Sequence, residues 1–224
     1  MCIRDRDIIM STENRGQGER RRQQRALDTR NALLDTAIAT FSLSGFEGIS
    51  VRQLEEQAGV NRGLVAYHFG DKDQLWREAV DRLFQALGEE FLGRVELLAE
   101  VAPMEAARGM VRAFVRYSAA HPELNRLMMQ ESVAASWRVD YIVDQHIGPL
   151  MKNLSGMMPE AAGLLWGRSD PHRYYLFIGA SAFVFSAEEE CRRLFGCSPR
   201  DTDFVDRHAE MVVSLLLPAE SAGS

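Results

Sequence analysis

The sequence lacks the residue patterns on which metal sites and most hydrolytic active sites depend. Three cysteines and five histidines occur among 224 residues, and their spacings match no zinc-binding pattern. Five residues separate Cys191 from Cys197, and no histidine lies at helical ligand spacing from either. Glycine-rich phosphate loops, Gly-x-Ser-x-Gly elbows and His-Glu-x-x-His motifs are also missing. We therefore expect no metal, no other cofactor and no enzymatic activity.

Long apolar runs are missing as well. No run reaches the roughly 18–20 residues that span a bilayer, and the first residues lack the apolar stretch of a secretory signal. Three cysteines do not suggest a disulfide framework, which favours a reducing compartment. We expect a cytoplasmic protein with no membrane partner.

The composition of the chain favours helix-forming residues. Alanine and leucine outnumber valine, isoleucine and threonine, so the sequence predicts an all-α fold. Charge is uneven: residues 15–30 carry a net +4 and residues 78–224 a net −7. A basic arm suits attraction to nucleic-acid phosphates, although taken alone the arginine run fits a solvated tail equally well.

The stretch 50–72 is predicted to form two short helices joined by a tight turn. Ser50 is a candidate cap for the first helix, and Asn61 is a candidate cap for the second. Val65 and Phe69, four residues apart, are predicted to point inward. Because so short a helix is unstable alone, the pair must pack on a third helix, which the sequence predicts over 29–44.

The second short helix is left with a polar outer face. Arg62, Gly63, Ala66 and Tyr67 lie on that face, and they combine a guanidinium, small residues and an aromatic hydroxyl. Arginine matches the acceptors that guanine presents in the DNA major groove. A helix with this surface is typical of the recognition helix of a helix-turn-helix protein.

Landmarks over residues 29–72 resemble the DNA-binding region of TetR/AcrR-family transcriptional regulators. In chain order they are Ala37…Phe41…Gly45-Phe46, Ser50-Val51-Arg52, Ala58-Gly59-Val60 and Tyr67-His68-Phe69-Gly70-Asp71-Lys72. The chain departs from the family at Ala66, where a tyrosine usually grips the phosphate backbone. The resemblance therefore implies that Tyr67, His68 and Lys72 take over that contact.

Eight residues form the predicted site for double-stranded DNA. They are Arg52, Asn61, Arg62, Gly63, Leu64, Tyr67, His68 and Lys72. The predicted organisation is a disordered basic arm over 1–24, a helix-turn-helix domain over 25–72, an effector-binding and dimerisation domain over 73–217, and a tail over 218–224. A three-helix DNA-binding domain is thus expected to precede a larger helical domain.

Apolar stripes predict six helices after the DNA-binding domain. Their expected spans are about 71–98, 103–120, 122–135, 137–154 with a kink at Pro149, 169–194, and a last helix from Asp201 or Thr202. Residues 156–167 are predicted to form an irregular connection. The stretch 174–185 is apolar almost all round, and 204–216 has a broad apolar face on one side. Together they predict a homodimer. The resemblance implies the four-helix interface of that family.

Aromatic, methionine and hydroxyl side chains of this second domain are candidates for an effector site. They are Phe114, Tyr117, Met128, Met129, Ser132, Trp137, Tyr141 and Phe177. Their ordinary interpretation is a hydrophobic core, and the functional one is a cavity for a hydrophobic or aromatic effector. Glu131 is expected to be a further polar anchor in that cavity.

The function that these observations favour is a ligand-responsive transcriptional repressor that binds an inverted-repeat operator as a homodimer. The alternative is a DNA-binding protein of the same fold without a small-molecule effector, which a protein partner controls or which acts architecturally.

Overall fold

The computed structural model describes residues 3–98, 100–167 and 170–217. In these ranges the regular elements are all helices, and none is long and apolar enough to cross a membrane. They are α1 (Ile3–Ser44), α2 (Val51–Gln57), α3 (Leu64–Phe69), α4 (Lys72–Leu98), α5 (Pro103–Ala120), α6 (Pro122–Glu131), α7 (Trp137–Ile142), a π-helical turn (Val143–Ile147), α8 (Gly148–Met157), α9 (Pro159–Leu165), α10 (Pro171–Ser186), α11 (Glu188–Phe195) and α12 (Thr202–Leu216). The predicted all-α class is confirmed.

Internal contacts divide the chain into a first unit, Met1–Ala79, and a second unit, Val80–Ser224. The predicted boundary after residue 72 coincides with the start of α4. The observed division lies two turns later, because Leu75, Trp76 and Ala79 are fully buried within the first unit.

The core of the first unit follows the predicted spacing. Leu33, Ala37 and Phe41 are buried along α1, Leu54 is buried on α2, and the inward residues of α3 are buried as well. Each set repeats every three or four residues, which places it on one helix face. The three-helix arrangement expected of a helix-turn-helix domain is therefore confirmed.

The N-terminal arm differs from the prediction. We expected disorder over 1–24, whereas α1 extends back to Ile3. Arginine, glutamine and glutamate dominate this stretch, and their unbranched side chains lose little freedom in a helix. Local bonds support its later part, since Gln24 donates to Asp28 (2.8 Å) and the Thr29 hydroxyl donates to the Arg25 carbonyl (2.8 Å). The predicted tail over 218–224 lies outside the described residues.

Helix α5 is the centre of the second unit. It packs against α6, α9, α10 and α12, and Ala107, Val111 and Val115 are completely buried along it. Small side chains such as Ala106 and Ala113 let the neighbouring helices approach closely. The three completely buried residues are four positions apart, which places them on one helix face.

The region after α6 is more broken than predicted. We expected one helix over 137–154 with a kink at Pro149, but the break is the π-helical turn Val143–Ile147, and α8 begins at Gly148 just before the proline. Proline lacks an N–H donor and is favoured in the first turn of a helix, so the irregularity precedes it. The predicted connection over 156–167 contains α9, which Pro159 opens.

The apolar helix near the C-terminus is split. We expected a single helix to about Leu194, whereas α10 ends at Ser186 and α11 begins at Glu188. The Arg126 guanidinium donates to the carbonyls of Phe185 and Ser186 (both 3.4 Å) and so stabilises the C-terminal end of α10. Three glutamates in the first turn of α11 suit the positive end of its dipole.

Candidate nucleic-acid interface and ligand cavity

The start of α2 is fixed by a capping box, as the sequence predicted for Ser50. The Ser50 hydroxyl accepts from the Gln53 backbone N–H (3.3 Å), and the Gln53 side chain accepts from the Ser50 N–H (2.9 Å). Both contacts satisfy donors that a helix start otherwise leaves unpaired. Arg52, in the first turn of α2, is exposed.

The support of α3 comes from Glu55, a residue that the sequence reasoning missed. Glu55 lies on α2 with only 4% of its surface exposed, and its carboxylate accepts from the Val65 backbone N–H (2.9 Å). A carboxylate at a helix N-terminus satisfies a free donor and offsets the helix dipole. The available signal was an acidic residue directly after Leu54 on the inward side of α2.

The predicted cap at Asn61 is wrong. Helix α3 begins at Leu64, and the residue before it, Gly63, has a φ of 87° and no side chain to offer. A φ of this sign is strained for residues other than glycine, although the space around Gly63 is open. Asn61 lies earlier in the turn and is exposed, so the capping role falls to Glu55.

The outer face of α3 is exposed as predicted. Val65 and Phe69 are buried, whereas Arg62 before the helix is exposed and Tyr67 has 77% of its surface exposed. Leu64 and His68 are half-buried, and the His68 ring meets the Tyr67 ring edge-on with centroids 4.9 Å apart. This face therefore presents a guanidinium and a phenol without internal obstruction.

Lys72 is placed differently from its expected contact with a DNA phosphate. Its Nζ donates to the Phe46 carbonyl (2.6 Å) and lies 4.1 Å from the centre of the Phe46 ring. These contacts join the start of α4 to the turn after α1. The ammonium is thus engaged within the first unit, because a backbone carbonyl and an aromatic face satisfy it there.

Arginines of the basic stretch divide into two groups. Arg30 forms an ion pair with Glu78, and its guanidinium lies 5.0 Å from the centre of the Phe69 ring. It therefore links α1 to α3 and α4. Four arginines between residues 20 and 25 of α1 are exposed: they are Arg20, Arg21, Arg22 and Arg25. These four form the basic surface that remains available to an anionic partner.

The second unit encloses a cavity of about 330 Å³. Six predicted effector-site residues line it: Phe114, Tyr117, Met128, Met129, Ser132 and Phe177. Further lining residues, which the sequence reasoning did not assign to a site, include Phe84, Leu87, Phe91, Leu150, Met151 and Trp166. Leu87 and Phe91 belong to the apolar stripe that predicted the helix over 71–98, but that spacing does not show which part of the stripe borders a cavity. Trp166 directly follows α9, in the stretch that was expected to be an irregular connection.

The cavity does not include three of the predicted residues. The Tyr141 hydroxyl donates to Asp81 (2.7 Å), and the same carboxylate oxygen contacts Nε2 of His146 (2.8 Å). Trp137 is half-buried at the start of α7. The buried Glu131 accepts from Arg138 (2.8 Å) and is not a polar anchor of the cavity. The Tyr141 hydroxyl and the Glu131 carboxylate each contact a partner on another helix, which the sequence spacing could not reveal.

The walls of the cavity are formed mainly by aromatic and aliphatic side chains. Phe114 stacks on Phe177 with centroids 4.9 Å apart, and Phe91 lies 5.9 Å from Phe114 at a steep angle. Among the described residues that line the cavity there is no aspartate, glutamate, lysine or arginine. An ionised ligand would lose its hydration there without gaining a carboxylate, ammonium or guanidinium partner. The arrangement therefore suits a neutral, largely apolar molecule.

Polar contacts within the cavity are few. The Tyr117 hydroxyl donates to the Leu83 carbonyl (3.4 Å), and its ring packs 4.5 Å from that of His121. Burial raises the pKa of Tyr117 to about 12 and also raises the pKa of Tyr174, so both phenols stay neutral. Asn125 donates to the Ser186 hydroxyl (2.6 Å) and joins α6 to α10.

Helices α10 and α12 pack together and expose apolar side chains. Phe183 on α10 is 51% exposed, and Met211 and Leu215 on α12 are each 70% exposed. Val212, which the sequence placed on the dimer face, is only 2% exposed and belongs to the core. His208 lies between the two helices, where its Nε2 contacts the Ala180 carbonyl (2.9 Å), and burial lowers its pKa.

Potential metal-ligating side chains are not clustered in the described ranges. These ranges contain no group of three or more histidine, cysteine, aspartate or glutamate side chains that could hold an ion. The thiols of Cys191 and Cys197 are free.

Two family models match the chain. Residues 33–79 match "Bacterial regulatory proteins, tetR family", and residues 103–216 match "Tetracyclin repressor-like, C-terminal domain". The first match covers α2, α3 and parts of α1 and α4, and the second extends from α5 to α12.

Curated relatives are similar to the chain over different lengths. The HTH-type transcriptional repressor AcnR of Corynebacterium efficiens is 37% identical over 92 residues, which are 41% of this chain and 45% of AcnR. The HTH-type transcriptional regulator RutR of Escherichia coli is 25% identical over 198 residues, 84% of this chain and 88% of RutR. The chain thus spans less than half the length of the AcnR proteins that it matches.

Solved structures share the fold at low identity. A putative fatty acid metabolism regulator of Clostridium perfringens superposes with a TM-score of 0.64 at 18% identity, over 83% of this chain and 96% of that one. AibR, solved in complex with isovaleryl coenzyme A and operator DNA, superposes with a TM-score of 0.62 at 18% identity, over 85% of this chain and 98% of the AibR chain.

Proposed function

The chain belongs to the TetR family of bacterial regulatory proteins, and we propose that it is a ligand-responsive transcriptional repressor that binds operator DNA as a homodimer. The observation that carries this proposal is the exposed face of α3, which Glu55 supports from α2. Such a protein acts in the cytoplasm, where bacterial DNA lies.

DNA reading is assigned to the exposed residues around α3. Arg62 is the candidate for a bidentate guanine contact, and Arg52 and Tyr67 are candidates for neighbouring base or phosphate contacts. His68 and Leu64 are half-buried and would shape the edge of the surface. Since Lys72 is engaged with Phe46, attraction to the phosphates is assigned to the exposed arginines of α1.

Dimerisation is assigned to α10 and α12. Their exposed apolar side chains favour a self-complementary contact about a two-fold axis. A two-fold dimer presents two recognition helices to two half-sites, so the operator is expected to be an inverted repeat.

The effector is proposed to be small, neutral and apolar or aromatic. The cavity volume lies at the lower end of the range for small-molecule sites, and its described walls hold no lysine or arginine that could pair with an anion. An acyl-coenzyme A, the class of ligand in the AibR complex, would have to keep its phosphates outside these walls. The cavity favours an effector over the alternative of control by a protein partner alone.

The response to an effector is assigned to a shift between two conformations of the dimer, because a ligand that binds both equally changes nothing. Helix α4 contributes Phe84, Leu87 and Phe91 to the cavity wall. One turn before Phe84, Asp81 accepts from Tyr141 and contacts His146. A ligand that displaces Phe84 would therefore strain the contacts of Asp81 with Tyr141 and His146. These contacts join α4 to α7 and to the π-helical turn.

Selection of bound DNA from a random pool tests the proposal. The full chain is expected to enrich an inverted repeat whose half-sites are about one helical turn apart or somewhat more. Enrichment of a single, unsymmetrical site would contradict the homodimer, and no enrichment at all would contradict sequence-specific binding.

A further inference from the structure

A group of polar residues lines the cavity where α5 ends and α6 begins. They are Tyr117, Ser118, His121 and Asn125, and we call them the polar corner. One turn before Ser118, Phe114 lines the same cavity and stacks on Phe177. A ligand ring placed against this aromatic wall would therefore lie next to hydrogen-bonding groups.

The amide group of Asn125 has a fixed orientation. Its Nδ2 donates to the Ser186 hydroxyl (2.6 Å) and to the Met129 sulfur (3.6 Å). A thioether sulfur accepts hydrogen bonds and has no hydrogen to donate, so the NH₂ group faces Met129. Both amide hydrogens are thus engaged, whereas no described residue donates to the carbonyl oxygen, Oδ1. Asn125 therefore brings an unused acceptor to the cavity.

His121 supplies a second acceptor. Its Nδ1 contacts the Glu123 carboxylate (3.2 Å), and its ring packs 4.5 Å from that of Tyr117. Because carboxylate oxygens accept hydrogen bonds, Nδ1 carries the hydrogen and Nε2 of the neutral ring is left as an acceptor. The Tyr117 hydroxyl donates to the Leu83 carbonyl instead. His121 and Asn125 are four positions apart, one helical turn, so the two acceptors belong to the same side of the start of α6.

We propose that the polar corner selects a neutral effector with a hydrogen-bond donor, such as a phenol, an alcohol or an N–H heterocycle, whose O–H or N–H group binds Oδ1 of Asn125. This inference rests on the proposed effector site and names its class of ligand. The apolar body of the ligand lies against Phe114 and Phe177. A ligand that offers only an acceptor, such as an ether, would place its lone pairs against those of Asn125 and His121.

The surroundings of Asn125 make this selection directional. Its NH₂ group cannot turn toward an acceptor-only ligand without breaking the bonds to Ser186 and Met129. Ser186 is held in turn at the end of α10, where Arg126 donates to its carbonyl (3.4 Å). Covering Oδ1 with a ligand that lacks a donor costs the hydration of that oxygen. A site of this kind rejects such a ligand more strongly than an apolar pocket rejects a change in size.

The test compares three ligands that share one ring system: 1-naphthol, 1-methoxynaphthalene and naphthalene. The first has a donor, the second has only an acceptor, the third has neither, and all three are uncharged in neutral buffer. Their affinities are measured by displacement of the fluorescent probe N-phenyl-1-naphthylamine, whose own affinity is first determined for each variant. Hydrophobic transfer alone would rank 1-naphthol last, because its hydroxyl is the best hydrated group of the three.

Two substitutions at one position separate the acceptor from the donors. Asn125→Leu removes Oδ1 and the NH₂ group together, whereas Asn125→Asp keeps acceptor oxygens and loses only the bonds that Nδ2 donates. Asn153→Leu is the control, since it makes the same change at an exposed position on α8 outside the cavity lining. Circular dichroism checks that each variant is folded.

We expect the wild type and Asn153→Leu to bind 1-naphthol about tenfold more tightly than 1-methoxynaphthalene, and also more tightly than naphthalene. This is the difference that a buried hydrogen bond produces when its loss leaves an acceptor unpaired. Asn125→Leu should abolish the preference for 1-naphthol. Asn125→Asp should keep it, because a charged acceptor forms a stronger hydrogen bond.

Three results would overturn this inference alone. They are a wild type that binds all three ligands without favouring 1-naphthol, a folded Asn125→Leu that keeps the preference, and a folded Asn125→Asp that loses it. The last result would assign the effect to the bonds of Nδ2. Should Asn125→Leu fail to fold, the wild-type ranking and Asn125→Asp still decide the question. A wild type that binds neither these ligands nor the probe would refute the apolar effector site of the proposed function, and this inference with it.

Discussion

The buried carboxylate of Glu55 is predicted to hold the recognition helix in place. Helix α3 has six residues, too few to be stable by its own hydrogen bonds. Glu55→Ala removes the acceptor for the Val65 N–H and leaves that buried donor unpaired. Hydrogen bonds to charged groups contribute about 1.5–3 kcal/mol net, so we expect a loss of about 2–3 kcal/mol in the local stability of α2 and α3.

Hydrogen exchange followed by mass spectrometry measures this loss where it occurs. A local destabilisation of that size speeds the exchange of protected amides about 30- to 150-fold. We expect this change in residues 51–69, while amides of the second unit serve as an internal reference. Operator affinity should fall for all sequences alike, because the helix is displaced while its base contacts keep their chemical identity.

Two variants control for charge and position. Glu55→Gln keeps an acceptor oxygen but loses the charge, so its effect should be smaller, about 1 kcal/mol. Glu56→Ala removes the neighbouring carboxylate, which is exposed, and should leave exchange unchanged. Equal exchange in Glu55→Ala and Glu56→Ala would refute the assignment of Glu55 as the support of α3.

Three further predictions follow from the contacts of single residues. Lys72→Ala should lower the stability of the first unit by about 1–2 kcal/mol, since a partly buried cation and its carbonyl partner are lost; urea unfolding measures it. Ser132→Trp should weaken binding of N-phenyl-1-naphthylamine by filling the cavity, while operator affinity without ligand stays close to wild type. Burial lowers the pKa of His208 below its ordinary value of 6.5, so the unfolded chain binds the proton more readily. Stability should therefore be full above pH 6.5 and fall as the pH drops below it, and His208→Gln should lose part of this dependence in urea unfolding.

Different results would contradict these predictions. If Lys72→Ala left the unfolding midpoint unchanged but made the salt dependence of DNA binding shallower, the result would indicate that Lys72 contacts a DNA phosphate instead. For Ser132, joint loss of DNA binding and thermal stability would indicate an ordinary core. For His208, the same acid sensitivity in wild type and variant would assign the pH dependence to other groups.

Local patterns were sufficient to predict several of the helices and their buried faces. The Ser50 cap, the spacing of Val65 and Phe69 and the stripe on α1 each depend on residues three or four apart, which chain geometry brings together directly. Pro149 also signalled the break after α7, although the π-helical turn displaced it by a few residues. The landmarks over residues 29–72, which resemble TetR/AcrR-family regulators, narrowed the predicted fold further to a helix-turn-helix domain followed by a larger helical domain.

Contacts between distant residues were not predictable from spacing. Glu55 reaches a residue ten positions later, and Lys72 reaches Phe46, 26 positions earlier. Phe114 and Phe177, two residues predicted for the effector site, line the cavity, but Tyr141 contacts Asp81 across 60 residues. Whether a polar or aromatic side chain faces a cavity or a partner depends on how the helices pack together. The spacing of residues along one helix does not determine that packing.

Parallel selection of bound DNA with the wild type and with Arg62→Ala tests the central assignment most directly. Arg62 is exposed ahead of α3, and a bidentate arginine–guanine contact discriminates between bases by about 1–3 kcal/mol. We predict that the wild type enriches an inverted repeat and that Arg62→Ala loses base preference at one symmetric pair of positions while keeping the rest. An unchanged consensus in Arg62→Ala would contradict the assignment of this face to DNA recognition.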